Sequence, residues 1–162
     1  MSARITIRTY LLVGYPYNQP GEESPRGGAS MLLRRLSGSF TGGLVGAFVD
    51  SFDIWILGVL GITTLLGVGM RPELTPPWLY PRLVWGGLFG LLLAIPYLEG
   101  RPILRGILFS LAPSALMLFV VLPNMGKGLL GLGFGSLTPV LVVGLNFIWG
   151  IVAAYWYRVA IR

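Results

Sequence analysis

The chain has 162 residues, of which 54% are hydrophobic and 11% are charged, with a mean hydropathy of +0.76 and a net charge of +6. A composition this apolar excludes an ordinary soluble domain and predicts an integral membrane protein. The sequence contains no cysteine and no histidine, which excludes disulfides, thiolate chemistry and the usual axial ligands of haem or chlorophyll. The arginines lie at the ends of apolar segments, so the positive charge is typical of a membrane protein and does not indicate binding of nucleic acid.

Long apolar runs indicate an all-α fold, because a backbone amide in lipid must find its hydrogen bond within its own segment. We predict a polar N-terminal arm over residues 1–33, followed by a transmembrane domain over residues 34–162. The domain contains four predicted transmembrane helices, at residues 36–69, 83–98, 103–122 and 140–157. The arm carries turn signals and little core material, so it is either a loosely structured tail or an ordered arm that rests on a larger partner.

The first predicted span is nearly uncharged and would be about 51 Å long, against a hydrocarbon core of about 30 Å. It must therefore tilt, kink or project from the bilayer. The first two spans carry small residues four apart, a spacing that lets another helix backbone approach closely. Helix packing or contact with a partner is predicted at five of them: Gly38, Gly42, Gly46, Gly86 and Gly90.

Asp50 and Asp53 are the acidic residues inside the predicted spans, and their spacing of three places them on the same side of a helix. An intramembrane carboxylate is costly and indicates a proton or cation site. We find no basic residue of this chain at the matching depth. The predicted partners are therefore an Arg or Lys of another chain, the hydroxyls of Ser51 or Thr41, or a proton. Alternatively, both carboxylates lie at the cytoplasmic headgroups and have no special role.

Three further features concern the later part of the chain. The proline-rich segment 70–82 predicts a stiff connection at a membrane interface, and Pro113 predicts a kink in the third span. The glycine-rich segment 123–139 is expected to lie against the membrane surface. The three tryptophans away from the span ends either line a pigment or quinone pocket or fill space opposite the glycines: Trp55, Trp85 and Trp149.

Charge distribution predicts the orientation. Nine of the arginines fall on one side of the predicted spans, while Arg71, Arg82 and Lys127 fall on the other, so both termini are expected to be cytoplasmic. The predicted localisation is a cell inner membrane, either cytoplasmic or intracytoplasmic, which the chain crosses several times. Glu99, Arg101 and Arg105 are interpreted as an interfacial charge cluster.

The last two spans and the loop between them carry a recurring set of residues: Pro123, Gly126, Gly128, Gly131, Pro139 and the Trp149–Gly150 step. In these residues the chain resembles a family of small four-span bacterial inner-membrane proteins with a domain of unknown function. The resemblance covers roughly residues 38–157 and implies four spans without implying an activity. Members of that family often carry a histidine in spans two and four, where this chain has Trp85 or its neighbours and Asn146.

Together these features predict a non-catalytic accessory or structural subunit of a larger membrane complex, in a respiratory or photosynthetic assembly. Its expected partners are other integral membrane subunits and membrane lipids. The alternative is a small oligomeric transporter or channel that uses Asp50 and Asp53. An enzyme is least favoured, because a nucleophile–base pair or a metal set is hard to assemble without His or Cys. No cofactor is expected to bind through His or Cys, while contact with lipid, quinone or pigment stays open.

Overall fold

The structure is a computed structural model that describes residues 25–162. The residues it describes are helical throughout, with connecting turns and no β-strand. In chain order, the α-helices are α1 (Pro25–Val59), α2 (Ile62–Leu65), α3 (Pro76–Gly90), α4 (Pro102–Leu116), α5 (Leu122–Asn124) and α6 (Thr138–Ala160). The predicted all-α class is therefore confirmed for this part of the chain.

Three segments are long and apolar enough to cross a membrane: Gly28–Val59, Pro102–Asn124 and Thr138–Ala160. These are the helices of a multi-pass membrane protein by length and composition. The last two agree with the third and fourth predicted spans to within a few residues.

The first helix has different bounds from the predicted first span. α1 begins at Pro25, within the segment predicted as an arm, and it ends at Val59 rather than at residue 69. The physical reason is backbone geometry, since Gly61 and Gly67 have φ angles of 72° and 66°, which a right-handed helix cannot accommodate. The rest of the predicted arm, residues 1–24, lies outside the described residues.

The second helix also starts earlier than predicted. α3 begins at Pro76 and includes Pro77 and Pro81. Pro76 and Pro77 lie in the first turn, where the missing N–H has no helical partner in any case, whereas Pro81 lies inside the helix and removes one intrahelical bond. The interpretation of residues 76–82 as an interfacial loop was therefore wrong. After Gly90 the helix tightens into a 3₁₀ turn, Leu91–Ala94, which ends before Pro96.

The helix predicted to kink at Pro113 continues through that residue. α4 runs to Leu116 and then widens into a π-helical turn, Met117–Val121, before α5. Pro113 lacks the N–H that would bond to the Phe109 carbonyl, which lies on its N-terminal side. The π turn lies on its C-terminal side and is a separate departure from α geometry.

α6 packs against α1 and α4, and α3 also packs against α1. One end of the bundle, which we call the arginine end, brings together the side of α1 near Arg34, the turn before α4 and the end of α6. Arg34 Nε donates a hydrogen bond to the Ala160 carbonyl over 3.1 Å, and Arg35 lies 3.4 Å from Glu99. At the opposite end, the loop end, the Gly69 N–H donates to the Phe134 carbonyl over 2.7 Å and joins the two long loops.

Candidate functional site

An ion pair joins α1 to α3 inside the bundle. Arg82 Nη2 lies 2.6 Å from Asp50 Oδ2, and Arg82 Nε donates a hydrogen bond to Ser51 Oγ over 2.9 Å. The same guanidinium lies 4.7 Å from the centre of the Trp78 ring. The pair is shielded, with 12% of the Asp50 side chain and 24% of the Arg82 side chain exposed. Charge, hydrogen bonding and an aromatic face thus meet at one point.

The prediction that no basic residue of this chain reaches the depth of Asp50 was wrong. Asp50 lies about 13 Å before the end of α1, at 1.5 Å per residue. Because α3 begins at Pro76 and runs antiparallel to α1, its second turn carries Arg82 to the level of Asp50. Sequence analysis had placed Arg82 at the membrane edge because it treated the prolines as a loop.

Arg82 pairs with Asp50 and not with Asp53. Asp50 is 8% exposed and faces α3, whereas Asp53 is partly exposed and makes no ion pair with any residue the structure describes. Residues three positions apart on a helix point in directions that differ by about 60°. This difference is enough for Asp50 to face α3 while Asp53 faces outward. Among the described residues, no group of three or more His, Cys, Asp or Glu side chains comes together.

The five predicted glycines lie at close contacts between helices of this chain. A Cβ at Gly42 would lie 2.7 Å from the Ala153 carbonyl oxygen, and one at Gly46 would lie 2.6 Å from that of Trp149. Real Cβ atoms do not approach this closely, so both glycines allow α1 and α6 to touch through their backbones. The other three predicted positions also lack room for a side chain without some adjustment: Gly38 against Ala160, Gly86 against Ala47, and Gly90 against Ser39.

Two glycine contacts lie outside the five predicted positions. Gly43 meets the backbone of Gly86, and Gly106 on α4 meets the backbone of Gly150 on α6. Neither Gly43 nor Gly106 lies in the four-residue stripes that sequence analysis selected. Gly150 had been noted only as part of the resemblance. Which glycines face each other depends on which helices are neighbours in space, and the sequence does not show this.

Trp149 is the central side chain of the glycine contacts. It is 3% exposed, and its Nε1 donates a hydrogen bond to the Gly43 carbonyl over 3.0 Å. It therefore fills space opposite the glycines, one of the two roles considered for it. Trp85 is 54% exposed on the outside of α3. Trp55 is partly buried and lines a groove with the loop before α3.

Arg105 is buried, which the sequence did not indicate. It is 3% exposed, and its Nη2 donates to the carbonyls of Leu93 and Ile95, the latter over 2.7 Å. Its guanidinium also lies 4.9 Å from the centre of the Tyr157 ring. The predicted cluster of Glu99, Arg101 and Arg105 is thus divided, since Glu99 pairs with Arg35. Arg105 instead binds the carbonyl end of the 3₁₀ turn that follows α3, where a cation is favourable.

Replacing Arg105 with Gln is expected to lower the free energy of unfolding by about 1–3 kcal/mol. The shorter neutral side chain leaves the carbonyls of Leu93 and Ile95 without a charged donor and removes the cation from the Tyr157 ring. Chemical unfolding in detergent micelles measures the change. Arg101→Gln is the matched control, since Arg101 is exposed, and it should change stability by less than about 0.5 kcal/mol. Equal effects of the two substitutions would contradict the assignment.

Comparison of the chain with protein-family models, with curated proteins and with solved structures finds no match. The resemblance to small four-span inner-membrane proteins therefore stays a prediction. Over residues 25–162 the fold is all-helical, with three helices long and apolar enough to span a membrane.

Proposed function

We propose that this protein is a non-catalytic accessory subunit of a larger assembly in the bacterial inner membrane. It crosses the bilayer four times, with α3 and the 3₁₀ turn after it as the fourth crossing. Fifteen α-helical residues and a four-residue 3₁₀ turn measure about 30 Å, the thickness of the hydrocarbon core. The arginine end faces the cytoplasm, as the excess of positive charge there favours.

The observation that carries the proposal is a part of α1 that extends beyond the rest of the bundle. We call residues 25–33 the N-terminal extension, because Arg34 already reaches the last turn of α6. The extension adds about 13 Å of helix. Its residues Met31, Leu32 and Leu33 are 61%, 56% and 68% exposed.

This apolar surface is placed where a protein partner covers it better than lipid does. Arg34 and Arg35 mark the headgroup level, so the extension continues past the bilayer. Three consecutive helical residues point in directions about 100° apart, which gives the extension apolar character over about 200° of its circumference. An exposed patch of this kind on a membrane subunit is typical of a docking surface. The occupant proposed is a neighbouring integral membrane subunit.

The internal ion pair supports the same proposal over a transporter. Arg82 neutralises the more deeply buried carboxylate from within the chain, so Asp50 needs no external cation. A buried pair of this kind fixes the register of two helices. The transporter alternative retains one supporting observation, since Asp53 is partly buried and lacks an ion pair among the described residues.

Substituting Leu32 and Leu33 together by Ser is expected to release the protein from its host assembly. The double substitution removes apolar area worth about 1.5–3 kcal/mol per side chain if fully buried, and therefore weakens binding at least about tenfold. The measurement is co-purification of a tagged chain from native membranes in mild detergent. Insertion should be unchanged, because both residues lie outside the crossing part of α1.

Leu65→Ser is the matched control, an exposed leucine, 86% accessible, at the loop end. It should leave co-purification intact. Two results would contradict the proposal: equal retention of the double variant and the parent chain, or purification of the parent chain alone. Ion flux through reconstituted vesicles that is lost in Asp53→Asn would favour the transporter.

A further inference from the structure

An open groove of about 530 Å³ lies at the loop end of the bundle. Its volume falls within the range of small-molecule sites. One wall is the last part of α1 and the other is the loop that leads into α3. The lining residues are Trp55, Gly58, Val59, Arg71, Pro72, Glu73 and Leu74. Its position, next to the last turn of a candidate membrane span, is the level at which lipid headgroups lie.

The groove carries one positive and one negative side chain that have no partners in the described chain. Arg71 and Glu73 are both exposed, and neither side chain forms an ion pair or hydrogen bond with a residue that the structure describes. They stand two residues apart in the loop before α3, which packs closely on α1. A Cβ at Gly58 would lie 3.4 Å from the Arg71 Cα, so a glycine at this position lets the loop come near the helix.

The rest of the groove lining is apolar and aromatic. Trp55 is partly buried and has the Phe52 ring 5.4 Å away, which supports the indole from the side. Val59 and Leu74 are 59% and 42% exposed beside it. Tryptophan at such a position is typical of the headgroup level, where its ring meets both acyl chains and polar groups.

We propose that this groove binds a phospholipid whose headgroup is a zwitterion with a primary ammonium, that is, a phosphatidylethanolamine-type lipid. Arg71 supplies the planar donors that suit a phosphate, and Glu73 accepts hydrogen bonds from the ammonium. The acyl chains leave along Trp55, Val59 and Leu74. Phosphatidylglycerol has a neutral glycerol in place of the ammonium and so offers Glu73 no cation, and a trimethylated ammonium has no N–H to donate to it.

The test uses the full chain in micelles, to which phosphatidylethanolamine, phosphatidylcholine or phosphatidylglycerol is added at equal mole fraction. Retained lipid is counted by native mass spectrometry. We expect phosphatidylethanolamine to be retained about fivefold more than either of the others, since exposed charge pairs contribute modestly. Arg71→Gln and Glu73→Gln should each abolish this preference. The control Arg101→Gln, an exposed arginine at the opposite end of the bundle, should keep it.

Several outcomes would overturn the proposal. These are equal retention of phosphatidylethanolamine and phosphatidylcholine by the parent chain, greater retention of phosphatidylglycerol, or a preference that survives both groove substitutions. Soluble glycerophosphoethanolamine, which has the headgroup without the chains, is added as a competitor. If it displaces the lipid at a similar concentration, the site recognises a free headgroup compound and not a membrane lipid. This test does not depend on docking to a host assembly, because it uses the isolated chain.

Discussion

Replacing Arg82 with Gln is expected to destabilise the folded protein by about 3–5 kcal/mol, because the Asp50 carboxylate then stays shielded without its cation. Ser51 loses its donor in the same substitution. The free energy of unfolding in detergent, followed by circular dichroism, measures the change. Asp53→Asn is the control, since Asp53 forms no ion pair with a described residue, and its effect should stay below about 0.5 kcal/mol.

The double variant Asp50→Asn with Arg82→Gln shows whether the effect of Arg82→Gln comes from the unpaired Asp50 carboxylate or from other contacts of Arg82. Two neutral amides at these positions leave no uncompensated charge, so the double variant should be more stable than Arg82→Gln alone. Equal stability of the single and double variants would show that Arg82 does not act through Asp50. A single variant as stable as the parent chain would contradict a structural role for the ion pair.

Leucine in place of Gly150 is expected to have the second large effect. The backbones of α4 and α6 meet at this residue, and a Cβ there would also lie 2.9 Å from the Ser110 Cβ. Neither helix can yield without losing contact along its length, so the loss should reach or exceed the 1–3 kcal/mol of ordinary overpacking. Thermal unfolding and the yield of folded protein after extraction both report it.

Gly144 provides the matched control on the same helix. A Cβ at Gly144 meets nothing within 4 Å, so Gly144→Leu removes a flexible residue without creating a clash. It should leave stability unchanged or raise it by up to about 1 kcal/mol, as glycine is a poor helix former. Equal losses at the two glycines would place the close approach of α4 and α6 in doubt.

The sequence predicted those features of the structure that depend on residues near one another along the chain. The four-residue glycine stripes identified close backbone contacts at Gly42 and Gly46, because small residues at that spacing share one side of a helix. The same glycine spacing is expected for a contact within the chain and for a contact with another chain. Only the helix order in space shows that Ala153 and Trp149 of α6 cover these two positions.

The errors came from features that depend on distant partners or on helix bounds. The prolines before Arg82 were interpreted as a loop, although proline also begins helices, and this moved Arg82 away from Asp50. Arg105 was assigned to the interface because arginine at the end of an apolar segment usually lies there. Arg105 is buried where it donates to the carbonyls of Leu93 and Ile95, and a sequence gives no sign of where those carbonyls lie.

The most direct test of the central claim, that α3 is a fourth crossing, is the topology of reporter fusions. Fusions after Gly100 and after Arg162 are expected to report the cytoplasm, and a fusion after Thr75 should report the opposite side. This result follows from the arginine end, where Arg35 pairs with Glu99 and Arg34 bonds to Ala160. Fusions after Thr75 and Gly100 that report the same side would show that α3 does not cross, and would contradict the account.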